Sequence, residues 1–185
     1  MPVSLIQFAG ETGDGSWGEV KRKVYKGIRQ TMKLAGHRIL RRVVKATPVD
    51  TGRARSNWQV GVGDVVADDL EPYLQYEKGT GSLAETENAQ AAIEAGDERL
   101  KGYTKGDIFI ANDVRNPKDG KGYIDALNAG SSSQAGRNFV NLAVMAGIEE
   151  INGANIDVLA LGEAYDDNLP SDAPFGFGIG AEEPF

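Results

Sequence analysis

The sequence predicts an α+β domain: a small, mostly antiparallel β-sheet packed against a long N-terminal helix and a C-terminal helix, with extended terminal arms. Two patterns carry that expectation. Apolar residues recur at three- to four-residue steps over residues 17–46 and again over 137–151, the period of a helix with one buried side. Between them, residues 58–62 and 107–112 hold short runs of strand-type residues. A chain of 185 residues with 41% hydrophobic content suits one domain that buries a real core. The expected division is an N-terminal arm over 1–16, the α+β domain over 17–151 with an inserted loop and helix region at 63–106, and an acidic Gly/Pro-rich extension over 152–185.

Taken in order, the first helix is read from Val20, Val24, Ile28, Met32 (or Ala35), Ile39 and Val43, which form an apolar stripe among basic residues. Gly27 and Gly36 each weaken it by about 1 kcal/mol relative to alanine, so local loosening is expected there. Pro48 closes the helix, because it lacks an N–H and disfavours helical backbone at Thr47. Asp50, Thr51 and Gly52 supply turn chemistry. Trp58, Val60 and Val62 then alternate with Asn57, Gln59 and Gly61, which predicts a half-buried strand and a helix–turn–strand unit.

Residues 63–82 read as an acidic loop, and Leu83 to about Leu100 as a helix with Ala84, Ala91, Ala92 and Ile93 on its apolar face. Asp107–Asn112 is the second strand, residues 116–120 a loop tip, and order resumes from Tyr123 to Leu127. A second long helix is expected from about Arg137 to Ile151, with Val140, Val144 (or Ala143), Ile148 and Ile151 inward. Residues 156–161 are a candidate added strand. The last 24 residues hold six acids and no base, a composition expected to be flexible in isolation.

Composition removes several classes of chemistry. With no cysteine there are no disulfides or thiolate sites, and the one histidine, His37, sits in the basic helix as an expected surface or core residue. No Walker loop, dinucleotide fingerprint, HExxH pair or nucleophile elbow occurs, so an enzyme, a metal or a cofactor is not expected. The first residues lack a basic leader and an apolar core, and no apolar run approaches the roughly 20 residues that span a bilayer. Secretion and membrane contact are therefore not expected.

Charge is strongly divided. The net value of −7 conceals twelve Lys/Arg against two acids between Trp17 and Trp58, a balance of +10. The remainder carries eight basic residues and 25 acids, a balance of −17. The basic segment can meet nucleic acid through residues 21–45, or acidic surface on a neighbouring copy. Arg22, Arg29, Arg38, Arg41 and Arg42, with Phe175, Phe177 and Phe185 of the tail as aromatic anchors, are the candidate subunit interface.

Three blocks also resemble a known family. The first is Thr47-Pro48-Val49-Asp50-Thr51-Gly52-Arg53-Ala54-Arg55-Ser56-Asn57-Trp58. The second is Ile108 to Asn112-Asp113, and the third runs from Tyr123 through Leu127 to Gly130-Ser131-Ser132-Ser133-Gln134 and on into Phe139-Val140. In this order they are similar to the tail-completion (neck) proteins of long-tailed bacteriophages, the family of the minor tail protein Z of lambda, over about 135 residues. The resemblance implies a structural virion protein, made in the host cytoplasm and assembled as a homo-oligomeric ring at the head–tail junction. Its implied partners are other copies of itself, the head-closure or portal-side connector, and tail-terminator or tail-tube proteins. DNA would pass through such a ring without sequence-specific binding. Two departures are plain: Val114–Gly122 intervenes where relatives soon reach Pro-Tyr, and Gly136-Arg137-Asn138 replaces a proline-containing turn. The competing expectations are a DNA-binding module using the basic helix, or another tail component such as a terminator or tube subunit.

Overall fold

A computed structural model of the chain describes residues 16–48, 52–66, 68, 70–71, 82–116 and 119–153. The order of elements is helix α1 (Ser16–Ala46), a one-turn helix α2 (Arg53–Ser56), strand β1 (Gln59–Val62), helix α3 (Ser82–Lys101), strand β2 (Ile108–Ala111), a short helix α4 (Tyr123–Ala126) that passes into a π-type turn (Leu127–Ser131), and helix α5 (Phe139–Gly153). β1 and β2 pair antiparallel, with Val60 opposite Ile110 and Val62 opposite Ile108. The architecture is α+β, helices packed on a two-stranded antiparallel sheet.

Helix α1 is the spine, contacting α3 through Gly36 and Leu40 and α5 through Arg38, Ile39 and Arg42. Lys33 reaches Lys101, Gly36 lies against Leu100 and Leu40 against Gly96, so α1 and α3 run antiparallel. The crossing is close because glycine stands on both sides. A Cβ added at Gly36 would come within 2.9 Å of a Leu100 methyl, and one at Gly96 within 2.3 Å of Leu40 Cδ2. Gly36 was expected to loosen α1; instead the helix continues through it, and the missing side chain is what admits α3. Gly147 does the same for α5, where an added Cβ would approach Ile39 Cγ1 at 3.0 Å.

Leu40, Val43 and Val44 are buried at the centre, with Trp58, Val60, Leu100, Leu127 and Phe139 around them. Burial of the indole is the largest single aromatic contribution there; removing such a ring costs about 3–5 kcal/mol. Leu40 and Val44 belong to the core although the sequence stripe passes them by, and Ile28 and Met32, which are in that stripe, are exposed.

Other expectations change as well. The junction is helix–turn–helix–strand, since α2 occupies Arg53–Ser56 ahead of β1. β1 is not half-buried by alternation: Trp58, Gln59, Val60 and Gly61 are all covered, because α3 lies on one side while the chain at Asp64–Val66 folds back onto the other. Within the region 63–106, helix α3 supplies Ala89, Ala92 and Leu100 to the core. The last helix begins at Phe139 rather than Arg137 and buries Phe139, Ala143 and Gly147, which leaves Ile148 exposed. The added strand at 156–161, the N-terminal arm ahead of Ser16 and the acidic extension lie outside the described residues.

Candidate functional site

The site is built around the end of α1. Thr47 N–H donates to Val43 O at 3.1 Å, and its hydroxyl donates to the same carbonyl at 2.6 Å. That hydroxyl oxygen also accepts from Trp58 Nε1 at 2.7 Å, tying the helix end to the residue that precedes β1. Both side chains are buried, and a buried indole N–H needs such a partner. Arg55 folds its guanidinium back onto the last carbonyls of α1, donating to Thr47 O at 2.8 Å and Lys45 O at 3.3 Å. A cation there also complements the negative end of the helix dipole.

Gly52, at φ 82°, makes the reversal into α2, a backbone region that β-carbons disfavour. Asn57 is fully buried and uses three of its hydrogen-bonding positions. Its Nδ2 donates to Arg53 O (2.8 Å) and Leu70 O (2.7 Å), while Oδ1 accepts from Leu70 N (2.6 Å). One side chain thus pins α2 to the acidic loop thirteen residues later. Pro48 is buried beside Thr47 and Arg53 is half-buried, whereas Asp50 and Thr51 lie outside the described residues.

The three sequence blocks meet in space. Asn112 Nδ2 donates to Ala54 O at 2.6 Å, joining the second block to the first. Asn112 Oδ1 also accepts from Val114 N at 3.2 Å, an Asx turn that ends the strand. Tyr123 N–H donates to Val114 O at 2.8 Å, directly after the second block, and Ile124 and Leu127 of the third block share one core with Trp58 of the first and Ile110 of the second. The intervening departure closes on itself through an antiparallel bridge between Arg115 and Gly122. The two ends of the stretch 114–122 are thereby held side by side. Asp113 pairs with Arg115 at 2.6 Å, at the rim.

Leu127 is buried and Tyr123 half-buried, while Gly130, Ser131 and Gln134 are exposed and Ser132 is half-buried. Gly130, at φ 96°, has the Arg137 side chain lying on it, where an added Cβ would meet Arg137 Cγ at 2.6 Å. Asn128 receives the start of α5, its carbonyl accepting from Asn138 N (2.7 Å) and its side chain from Val140 N (3.0 Å). Asn138, at φ 61°, turns the chain into α5.

The basic residues divide between two environments. Arg38 and Arg42 both bind Glu150 of α5, Arg38 at 3.0 Å, so these two candidate interface cations already bridge elements of their own chain. Lys33 Nζ caps α3 at Lys101 O (2.8 Å). Glu98 hydrogen-bonds Lys101 and raises its ammonium above the usual lysine range. Arg22 and Arg41 are exposed and Arg29 is half-buried. Phe175, Phe177 and Phe185 lie outside the described residues.

One constellation has no local signal in the sequence. His37 Nδ1 lies 2.6 Å from Asp97 Oδ1, sixty residues away, and both side chains are nearly covered at the α1–α3 crossing. Only the antiparallel pairing of the two helices brings them together. Among the described residues, no group of three or more His, Asp or Glu side chains is placed to hold a metal ion. Nor is any described helix long and apolar enough to cross a membrane.

The fold and the junction define an α+β domain in which Asn57, Asn112 and Arg55, among the described residues, bind backbone of other segments. No protein-family model, curated protein or solved structure matches the chain.

Proposed function

We propose that this protein is a structural subunit of a long-tailed bacteriophage virion, forming a ring at the head–tail junction that completes the tail and meets the head connector. The observation that carries the reading is the union of the three resembling blocks. Asn112 binds Ala54 across 58 residues, Tyr123 binds Val114 directly after the second block, and all three blocks contribute to one core, so they form one packed region rather than three unrelated turns. In this role the chain catalyses nothing, and the junction fixes the angle between α1 and the sheet. The charge division also suits it, because a closed ring needs two unlike faces on each subunit.

Native mass spectrometry of the purified protein, with a search for the chain in isolated virion necks, tests this. Ring-sized assemblies and presence in the neck are expected. A chain that is monomeric at every concentration and absent from virions defeats the reading. The exposed cations Lys21, Arg22 and Arg41 favour one alternative, a DNA-binding module. Duplex DNA titrated at low salt decides it, since phosphate-driven binding is then strongest.

A further inference from the structure

Two rows of exposed apolar side chains lie on different helices. On α1, Tyr25, Ile28 and Met32 are 59%, 47% and 36% exposed, at helical spacing. On α5, Leu142, Met145 and Ile148 are 61%, 58% and 43% exposed, each three residues from the next. Single exposed apolar residues are ordinary, but two aligned rows make patches of the kind that mark contact surfaces.

We propose that the α1 row of one copy seats on the α5 row of the next. This rests on the ring reading and names the contact that would build it. Three observations select a second copy as the occupant. First, the α1 row continues, one helical face along, into Ile39 and Val43, and Ile39 there already receives α5 of the same chain at Gly147. The first half of α1 runs past the end of α3, about 25 Å of helix at about 1.5 Å per residue. There Tyr25, Ile28 and Met32 present the same kind of surface, with α3 no longer beside them among the described residues.

Second, the rows differ in charge. Lys21, which lies over the Tyr25 ring, and Arg22 are the exposed cations at the α1 row, whereas α5 carries no Lys or Arg, exposes Glu149 and has no basic residue in its last turn. The cations at the negative end of α5 come from Arg38 and Arg42, which take Glu150, while Glu149 beside the row is left exposed. Two α1 rows brought face to face would instead oppose like charges, which disfavours an isologous pairing. Third, the rows are separate patches of one subunit, so a contact between unlike rows leaves a free row at each end and propagates until it closes.

The cysteine-free chain permits a direct test with full-length protein. Ile28→Cys and Met145→Cys are prepared singly and mixed with a short thiol-to-thiol crosslinker. Covalent dimer should form several-fold above the control mixture of Met145→Cys with Lys121→Cys, and neither single variant alone should exceed that control. Both substituted side chains are exposed, and circular dichroism verifies that the variants fold. The proposal is overturned if the mixture stays at control level, or if Ile28→Cys crosslinks to itself. It is overturned too if Ile28→Cys joins Phe177→Cys faster than Met145→Cys, because the acidic tail then covers the row. A chain carrying both Ile28→Cys and Met145→Cys separates the two readings. A ladder ending at one fixed size supports contact and ring together, while an open-ended ladder keeps the contact and sinks the ring. Rings seen by native mass without the crosslink sink the contact alone.

Discussion

Replacing Thr47 by valine keeps the shape of a fully buried side chain and deletes one oxygen, at the point where α1 is bound to Trp58. Val43 O keeps a partner, since Thr47 N–H still donates to it at 3.1 Å. The indole N–H of Trp58, 5% exposed, keeps none among the described residues. Leaving such a donor buried and unsatisfied costs about 1–3 kcal/mol. For a domain of this size each kcal/mol moves Tm by about 2–4 °C, so a mid-range cost of about 2 kcal/mol lowers it by about 4–8 °C. Thermal and urea unfolding followed by circular dichroism and Trp fluorescence measure this, with coincident transitions as the check on two-state behaviour. In a Trp58→Phe background the orphaned donor is gone. Thr47→Val should then cost at least about 1 kcal/mol less, which is the coupling a double-mutant cycle isolates. A fall in Tm below about 1 °C, or equal losses in both backgrounds, would refute the assignment of the hydroxyl as the tie between helix and strand.

Gly96→Val forces side-chain atoms into Leu40 and Val60, and overpacking of this kind should cost about 1–3 kcal/mol, read as a lower urea midpoint. Asn57→Ala removes three hydrogen bonds at once and frees the loop it holds. Hydrogen exchange at the Leu70 amide should accelerate at least tenfold, and unchanged protection would show that the loop is held elsewhere. Deleting residues 163–185 should weaken assembly by light scattering while leaving the melting curve of the monomer in place. Unfolding of the truncated chain would instead make that segment part of the core.

Local signals account well for the elements. The three- to four-residue recurrence places both long helices within two residues of where they lie, and Pro48 marks the end of α1 because proline acts on its immediate neighbours. Side-chain placement was less legible. Alternation around Trp58 reads as one buried face, yet β1 is covered on both, since a helix and a folded-back loop arrive from distant segments. Glu150 looks like any surface acid until α5 lies beside α1 and gives it Arg38 and Arg42. Asn57 reads as one of the polar positions alternating with Trp58, Val60 and Val62 in a half-buried strand, and its buried role depends on Leu70 arriving beside it.

The sequence by itself determined the fold class, the helix stop at Thr47-Pro48, the left-handed turn at Gly52 and the division of charge, because each follows from backbone preference or composition within a short window. Only the tertiary structure decided which half of the α1 stripe is core and which is surface. Apolar periodicity states that a face can be buried, but a partner must be present to bury it. α3 ends level with Lys33, and beyond that point Tyr25, Ile28 and Met32 remain exposed to solvent.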